Sequence, residues 1–290
     1  MIKRFEFQID KKFHKKRLDE FLFNEFKSLS KAYIRRAVKE KNCEINGYIA
    51  NTGITLKSND YIEIQIDINQ EIGMKAEKMP LDIIFEDREI IVINKPFGML
   101  VHPTNYERNG TLLNGLTYYL NSNSANNLFI RPHLIHRLDR ETSGLILIAK
   151  NPKASGILCS HFKRKLFEKK YLALVEGVVE NDSGEINASI GRDESQRRWK
   201  VIDGEKISQT KFKVLKRFSE MTLLELEPVT GRTNQLRIHC DFIGHPILGD
   251  EMHTTNKFSR LCLHASKLGF WHPNGSQRLE FESLISFDPK

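Results

Sequence analysis

The sequence has little of what marks secreted, membrane-spanning or disulfide-linked proteins. Four cysteines occur in 290 residues, far apart and in no paired-cysteine motif. This pattern predicts free thiols in a reducing cytoplasm. No apolar stretch approaches the length of a membrane span, and Met1-Ile2-Lys3-Arg4 leads into no signal-like core, so we expect a cytoplasmic protein outside any membrane. The cysteines are Cys43, Cys159, Cys240 and Cys262.

Motifs for several kinds of chemistry are also missing. No glycine-rich loop ends in Lys-Ser or Lys-Thr, which argues against a nucleotide cofactor. Six histidines are candidate zinc ligands, but they lie at no recognised paired spacing, so we expect no metal and no other cofactor. Ser143 lacks the glycine-flanked elbow of a hydrolase nucleophile. The histidines are His102, His133, His136, His239, His245 and His264.

Positive charge is present, and it is unevenly distributed. Residues 1–42 hold thirteen Lys and Arg against six Asp and Glu, whereas the remaining residues hold thirty-two against thirty-one. Nearly all of the net charge of +8 therefore lies in the first seventh of the chain. This asymmetry indicates a basic module for a polyanion joined to a nearly neutral body, and the alternative is a basic face that only aids solubility.

The basic segment has the pattern of two helices followed by a small antiparallel sheet. Apolar spacing predicts an amphipathic helix over 17–27, and Ser30 is placed to cap a second helix. An Asn-Gly turn at 46–47 indicates a hairpin, and alternation over 61–68 indicates a strand. Residues 71–80 have no such alternation and are predicted to be a linker. The cations on the outer side of the second helix would be Lys31, Arg35, Arg36 and Lys39.

From residue 81 to the end, strand and helix patterns do not alternate regularly. Helices are predicted over 111–120, 152–169 and 234–242. The irregular order favours an α+β fold with a mixed, largely antiparallel sheet over a doubly wound fold. Strand patterns occur at 81–85, 90–93, 134–136, 145–149, 171–177, 210–216 and 221–227.

The chemical candidates lie in turns and at element ends. Asp139 falls in the polar corner 139–144, directly before a continuous apolar run, where a carboxylate could be fixed in a cleft. The alternative is that Asp139 only hydrogen-bonds its own turn. Arg237 could hold that carboxylate ionised if it approached, and Tyr171 could stack on a base. For these two, the alternatives are a surface salt bridge and an ordinary strand aromatic.

Two parts of the chain resemble known families. The ribosomal-protein-S-four-type (alpha-L) RNA-binding module is resembled by Arg17–Leu22, Leu29–Lys31, Val38–Lys41, Ile45–Gly47 and Asn59–Ile62. His136-Arg137-Leu138-Asp139-Arg140-Glu141-Thr142-Ser143-Gly144 resembles the signature of the RluA family of pseudouridine synthases. Further RluA-like stretches occur in the family's order. Lys95–His102 lies before this signature. After it come Glu168–Ala173 with Gly177, Gly231–His239 with Gly244–Ile247 and Gly249–Asp250, and Arg260–Ala265.

The resemblance implies two functional domains joined by a linker. Residues 15–70 would bind RNA through Lys31, Arg35, Arg36 and Lys39, residues 71–80 would be the linker, and residues 81–290 would be the catalytic domain. The implied reaction detaches uracil from ribose and rejoins it through carbon, which needs no energy input and no cofactor.

The resemblance also assigns roles to individual residues. Asp139 would be the catalytic carboxylate, Arg237 would pair with it, Tyr171 would pack against the target base, and Arg140 would fill the space left by a flipped base. The chain departs from the family at Asn234, where His is usual, and in lacking a Tyr soon after residue 250.

The implied partner is structured RNA. Ribosomal RNA is favoured, transfer RNA is the other choice, and the enzyme is expected to act as a monomer. Two other classes stay open, namely a structured-RNA-binding protein without chemistry and an aspartate-dependent hydrolase. The second of these lacks a metal or nucleotide motif.

Overall fold

The chain divides into two compact units in a computed structural model. The first unit consists of Met1–Lys78, Pro103–Asn109 and Leu116–Arg131, and the second consists of Met79–His102, Gly110–Gly115 and Pro132–Lys290. The structure describes residues 2–26, 29–67, 75–104, 106–122, 130–195, 198–254, 258–275 and 277–287. Of the predicted linker, 71–74 lie outside the described residues, and 75–80 contain neither helix nor strand.

Within the first unit, residues 2–67 form two short α-helices, a 3-10 turn at Lys11–Phe13 and a four-stranded sheet. Its elements are β1 (Ile2–Gln8), α1 (Leu18–Glu25), α2 (Lys31–Lys39), β2 (Cys43–Ile45), β3 (Tyr48–Ile49) and β4 (Tyr61–Asp67). The strand order is β1-β4-β2-β3. The Ser30 hydroxyl accepts a hydrogen bond from the Tyr33 backbone N–H at 3.0 Å, as the predicted cap requires. Asn46 and Gly47 both have positive φ, which suits the two-residue turn between β2 and β3.

The elements from residue 83 onward are dominated by strands. They are β5 (Ile83–Glu86), β6 (Ile90–Lys95), α3 (Leu112–Ser122), β7 (His133–Leu134), β8 (Ser143–Ala149), α4 (Pro152–Lys163), β9 (Glu168–Glu176), β10 (Ser183–Asn187), β11 (Ile190–Asp193), β12 (Arg198–Val201), β13 (Gln209–Arg217), β14 (Met221–Pro228), α5 (Gln235–Phe242), β15 (Leu263–Trp271) and β16 (Arg278–Glu282). None of the described helices is long and apolar enough to cross a membrane.

One large sheet organises the second unit. Ten strands take part, in the order β10-β13-β14-β9-β15-β8-β6-β5, with β16 added to β15 and β7 added to β8. Among the described strands, β8 and β15 pair in parallel, and the other pairs are antiparallel. The expected α+β fold with a mixed, largely antiparallel sheet is confirmed. Helix α4 packs Leu158 into one apolar cluster of the sheet, and α5 packs Cys240 into another.

Helix α4 is shorter than its pattern predicts. We expected it to reach residue 169, but it ends at Lys163, and β9 begins at Glu168. Lys165 has a φ of 58°, in the left-handed region where a right-handed helix cannot continue. Its backbone N–H bonds the Phe162 carbonyl at 3.1 Å, which closes the last turn. The prediction failed because a lysine gives no sequence signal for this conformation.

Candidate active site

A cavity of about 210 Å³ in the second unit contains the three residues predicted to carry the chemistry. Asp139 reaches it from the turn between β7 and β8, Tyr171 from β9, and Arg237 from α5. The neighbouring walls come from the loop that follows β14, at 228–234. These residues lie about thirty to a hundred positions apart in sequence, so the fold brings them together.

The turn that bears Asp139 is held mainly through its backbone. The Thr142 N–H donates to the Asp139 carbonyl at 3.2 Å, and the Gly98 N–H donates to the Arg140 carbonyl at 3.0 Å. Asp139 itself is half-buried, and its side chain lines the cavity. Both bonds use backbone atoms, so they hold the turn without engaging the carboxylate of Asp139.

Lys95 ties this turn to the preceding loop. Its side chain is 0% exposed, and its Nζ donates to the carbonyls of Pro96, Met99 and Arg140 at 2.8, 2.9 and 3.0 Å. Three N–H groups meet three acceptors, so the buried ammonium is fully hydrogen-bonded. Burial still lowers the pKa of Lys95 to about 8. The result is a rigid clamp that fixes the backbone next to Asp139.

A second buried network anchors the other end of the turn. The Arg260 Nη2 donates to the Ser143 Oγ at 2.6 Å, and that hydroxyl lies 2.8 Å from the His264 Nδ1. The His264 Nε2 lies 3.2 Å from the Ser283 carbonyl, which can only accept. Burial lowers the pKa of His264 to about 4, so the neutral ring donates through Nε2 and accepts from Ser143.

Gly144 allows this network to form. It has a φ of 112°, and a Cβ on it would lie 2.3 Å from the Ala265 carbonyl oxygen. A side chain there would therefore collide with backbone and force apart the parallel pair of β8 and β15.

Tyr171 occupies an interior strand of the sheet. It pairs with Leu226 on β14 and with Ala265 on β15. Burial, followed by the negative charge of Asp139, raises the pKa of Tyr171 above its ordinary value. The ring therefore stands beside Asp139 as a protonated phenol, an apolar surface suited to packing against a base.

The ion-pair partner of Arg237 is not the predicted one. We expected it to pair with Asp139, but its Nε and Nη2 donate to the two carboxylate oxygens of Asp250 at 2.7 and 2.5 Å. Both side chains are buried, at 8% and 1% exposure. Asp250 follows the tight loop after α5 and so reaches the guanidinium side-on, which leaves Nη1 outside the bidentate pair.

Electrostatics nevertheless couple Arg237 to the turn. Burial opposes the charge of Arg237, but the hydrogen bonds and charge of Asp250, with the charges of Asp139 and Glu141, raise its pKa. Burial likewise opposes the charge of Asp250, and Arg237 reverses the effect so that the pKa of Asp250 is lowered. The pair stays ionised and keeps a fixed positive charge in the cavity wall.

The remaining predicted residues lie outside this cavity. Arg140 is half-buried and is not among the described residues that line it. The four cations predicted on α2 are exposed, as expected of an outer helix face. One of them, Arg35, donates from Nε to the Asp19 carboxylate at 2.8 Å, and Arg17 shares that carboxylate. No cluster of residues suited to hold a metal ion occurs in the described part of the chain.

Sequence reasoning missed the supporting residues Lys95 and Asp250. Each lies within a family-like stretch, but neither was given a role in the site. Lys95 gives a weak signal, since it ends β6 just after the predicted strand 90–93 and precedes a proline. Asp250 follows Gly249, whose φ of 74° and close approach to the Arg260 carbonyl admit no side chain.

Comparisons with known proteins agree on one family. Residues 89–242 match the model of a family described as RNA pseudouridylate synthase, a range that includes Asp139, Tyr171 and Arg237. An uncharacterized RNA pseudouridine synthase of Bacillus subtilis, YlyB, is 37% identical over 277 residues, which are 94% of this chain and 91% of that protein. Ribosomal large subunit pseudouridine synthase D of Borreliella burgdorferi is 35% identical over 286 residues, 94% of this chain and 86% of that protein.

A solved structure is similar as well. Human RNA Pseudouridylate Synthase Domain Containing 1 matches with a TM-score of 0.61 and 27% identity, covering 71% of this chain and 84% of that one.

Proposed function

The chain belongs to the RNA pseudouridine synthase family, and on this premise we propose that it isomerises specific uridines of structured RNA through the carboxylate of Asp139. The observation that carries the proposal is that Asp139, Tyr171 and Arg237 line one and the same cavity. A carboxylate, an aromatic ring and a fixed cation in one cavity are suited to a neutral base attached to a sugar.

The chemistry requires a carboxylate at the anomeric carbon. The bond from the ribose to the uracil nitrogen breaks, the base turns, and a bond from the ribose to a uracil carbon forms. That carbon loses a proton and the nitrogen gains one, so no electrons are exchanged with a cofactor. Asp139 serves either as the nucleophile or as the stabiliser of the positive charge that develops as the glycosidic bond breaks.

Tyr171 and Arg237 position the reacting groups in this proposal. The Tyr171 ring packs against the detached uracil and keeps it within reach of the sugar, which favours rejoining over escape. The Arg237 guanidinium is held by Asp250 and supplies a positive charge near Asp139. A paired uridine must leave its helix to enter the cavity, and Arg140 fills the space that it leaves.

Large-subunit ribosomal RNA is the proposed substrate. Its support is the relatives named for this substrate, such as ribosomal large subunit pseudouridine synthase D of Borreliella burgdorferi. Residues 15–70 are proposed to act as an S-four-type RNA-binding domain, since α2 exposes Lys31, Arg35, Arg36 and Lys39. Action as a monomer in the cytoplasm completes the proposal.

The test maps pseudouridine in total RNA from cells with the gene, cells without it, and cells that carry an Asp139→Ala copy. We expect specific sites in large-subunit ribosomal RNA to disappear without the gene and to stay absent with Asp139→Ala. The matched control is Asp203→Ala, which removes an exposed carboxylate from the same unit and should restore every site.

Each other outcome has a definite meaning. Loss of sites only in transfer RNA keeps the reaction and replaces the substrate. Sites that persist with Asp139→Ala refute the catalytic role of this carboxylate. Rescue of a growth or assembly defect by Asp139→Ala, with no site changed in any sample, identifies a structured-RNA-binding protein without chemistry.

A further inference from the structure

A second cavity of about 280 Å³ adjoins the candidate active site in the second unit. It lies between the turn that ends α4, the start of β9 and the loop that follows β14. The two cavities share five lining residues, which form a common wall: Lys169, Pro228, Thr230, Gly231 and Arg232. A molecule in the first cavity could therefore continue into the second.

The charged side chains that line the second cavity are all positive. Lys163 and Lys165 flank one side, and Lys169 and Arg232 belong to the shared wall. No Asp or Glu is among the described residues that line it. Within the described chain, none of these four cations forms an ion pair with a carboxylate.

Helix energetics account for only part of this charge. A lysine in the last turn of a helix interacts favourably with the helix dipole, which explains Lys163 at the end of α4. Lys169 lies on a strand, and Arg232 lies in a loop, so neither gains from that dipole. Their placement beside the same cavity needs another explanation.

Lys169 is the least compensated of the four. It is half-buried, and its Nζ lies 4.8 Å from the centre of the Phe162 ring. Burial lowers the pKa of Lys169. The pKa of His136 is lowered to about 3 by its own burial and, to a lesser extent, by the positive charge of Lys169. A neighbouring anion would offset the cost of burying this charge.

Arg232, in the same shared wall, is held by its backbone. Its N–H donates to the Gln235 Oε1 at 3.0 Å, and that same oxygen accepts from the Thr230 hydroxyl at 2.8 Å. The loop is thus fixed while the guanidinium of Arg232 remains exposed. Together, the four cations line a space that suits a group with negative charge on several oxygens.

We propose that this second cavity binds the phosphate backbone of the RNA strand next to the uridine held in the first cavity. This inference rests on the proposed function, because it assumes that the first cavity receives a nucleotide. Phosphate contacts fix the register of a strand without reading its sequence. The second cavity would therefore contribute to RNA affinity and to placement of the target, with no part in the bond-breaking step.

The test replaces Lys163 and Lys165 together by glutamine and measures RNA binding. Both side chains are exposed, and glutamine is as compatible as lysine with the φ of Lys165, so folding should be preserved. The matched control is the pair Lys153→Gln and Lys213→Gln, which removes the same charge from exposed positions of the same unit outside both cavities.

The first readout is fluorescence anisotropy of labelled pentauridylate at several salt concentrations. We expect Lys163→Gln/Lys165→Gln to bind about tenfold more weakly and to lose about 0.7 from the slope of log K against log salt for each phosphate contact removed. The control should keep the wild-type slope. With a pentauridylate whose phosphates are replaced by neutral methylphosphonates, wild type and variant should bind alike.

The second readout is turnover on an RNA fragment that the wild-type enzyme modifies. We expect KM to rise about tenfold with kcat unchanged, since the replaced lysines contact only the flanking strand. Equal losses in the variant and its control, or no change in the variant, would overturn the second cavity as a phosphate site. If the wild type modifies no RNA, the proposed function fails separately, while the binding measurement still decides the second cavity.

Discussion

Breaking the bidentate pair between Arg237 and Asp250 by removing one partner should be among the more destabilising single changes in the second unit. The perturbation is Asp250→Asn, which keeps the shape of the side chain and one acceptor oxygen but removes its charge. Arg237, at 8% exposure, would then be a buried cation without its hydrogen-bonded counterion. Breaking one partner of a buried pair costs about 3 to 5 kcal/mol, and the retained oxygen favours the lower end, about 3 kcal/mol.

Urea unfolding followed by tryptophan fluorescence is the assay. Both tryptophans, Trp199 and Trp271, belong to the second unit, so the signal reports on the unit that holds the pair. A loss of about 3 kcal/mol should also lower the melting temperature by roughly 6 to 12 °C in a domain of this size. Arg237→Met should be destabilising as well, because it leaves a buried carboxylate unpaired.

The double variant separates the pair from the rest of the site. Because the double variant has lost both charges, its loss in free energy of unfolding should be about 3 kcal/mol smaller than the sum of the losses in the two single variants. The pKa of Asp250 is lowered in the folded protein, so the pair stabilises above the ordinary aspartate value of about 3.9 and loses this contribution as pH falls further. Additive single costs, or a loss below about 1 kcal/mol for Asp250→Asn, would refute the reasoning.

Three further predictions concern single residues. Gly144→Ala should destabilise the protein by more than about 4 kcal/mol in urea unfolding, because the new Cβ meets the Ala265 backbone, and a cost near 1 kcal/mol would contradict that contact. Ser30→Ala should cost about 1 kcal/mol and speed hydrogen exchange of the Tyr33 amide about fivefold, whereas unchanged exchange would mean that the cap contributes nothing. Difference absorbance between wild type and Tyr171→Phe should show a phenol that titrates well above about pH 10, and a transition at pH 10 would disprove the burial effect.

Local patterns were sufficient where a residue's neighbours in sequence are also its neighbours in space. The cap at Ser30 and the hairpin at Asn46 and Gly47 depend on contacts within a few residues, and both were predicted. The apolar run over 145–149 likewise predicted a buried strand, and β8 is buried throughout.

Contacts between residues far apart in the chain could not be predicted from local sequence patterns. The predicted partner of Arg237 was wrong because Asp139 and Asp250 both carry carboxylates, and local sequence does not distinguish them. Which of the two reaches the guanidinium depends on how the loop after α5 folds back. Lys95 gave only a weak signal, since an exposed lysine after a strand would have the same local sequence. The extent of α4 was wrong because Lys165 takes a left-handed conformation that its side chain does not indicate.

The parallel contact between β8 and β15 has a consequence for how the protein is made. Ser143 and His264 are 121 residues apart, and their hydrogen bond closes a loop of that length. Closure of so long a loop is entropically costly, and non-local strand pairing is slow to form. A chain emerging from the ribosome holds the whole Asp139 turn long before β15 exists. The surroundings of the carboxylate can therefore be completed only after residue 265 has left the exit tunnel, so assembly of this site belongs to the last stage of biosynthesis.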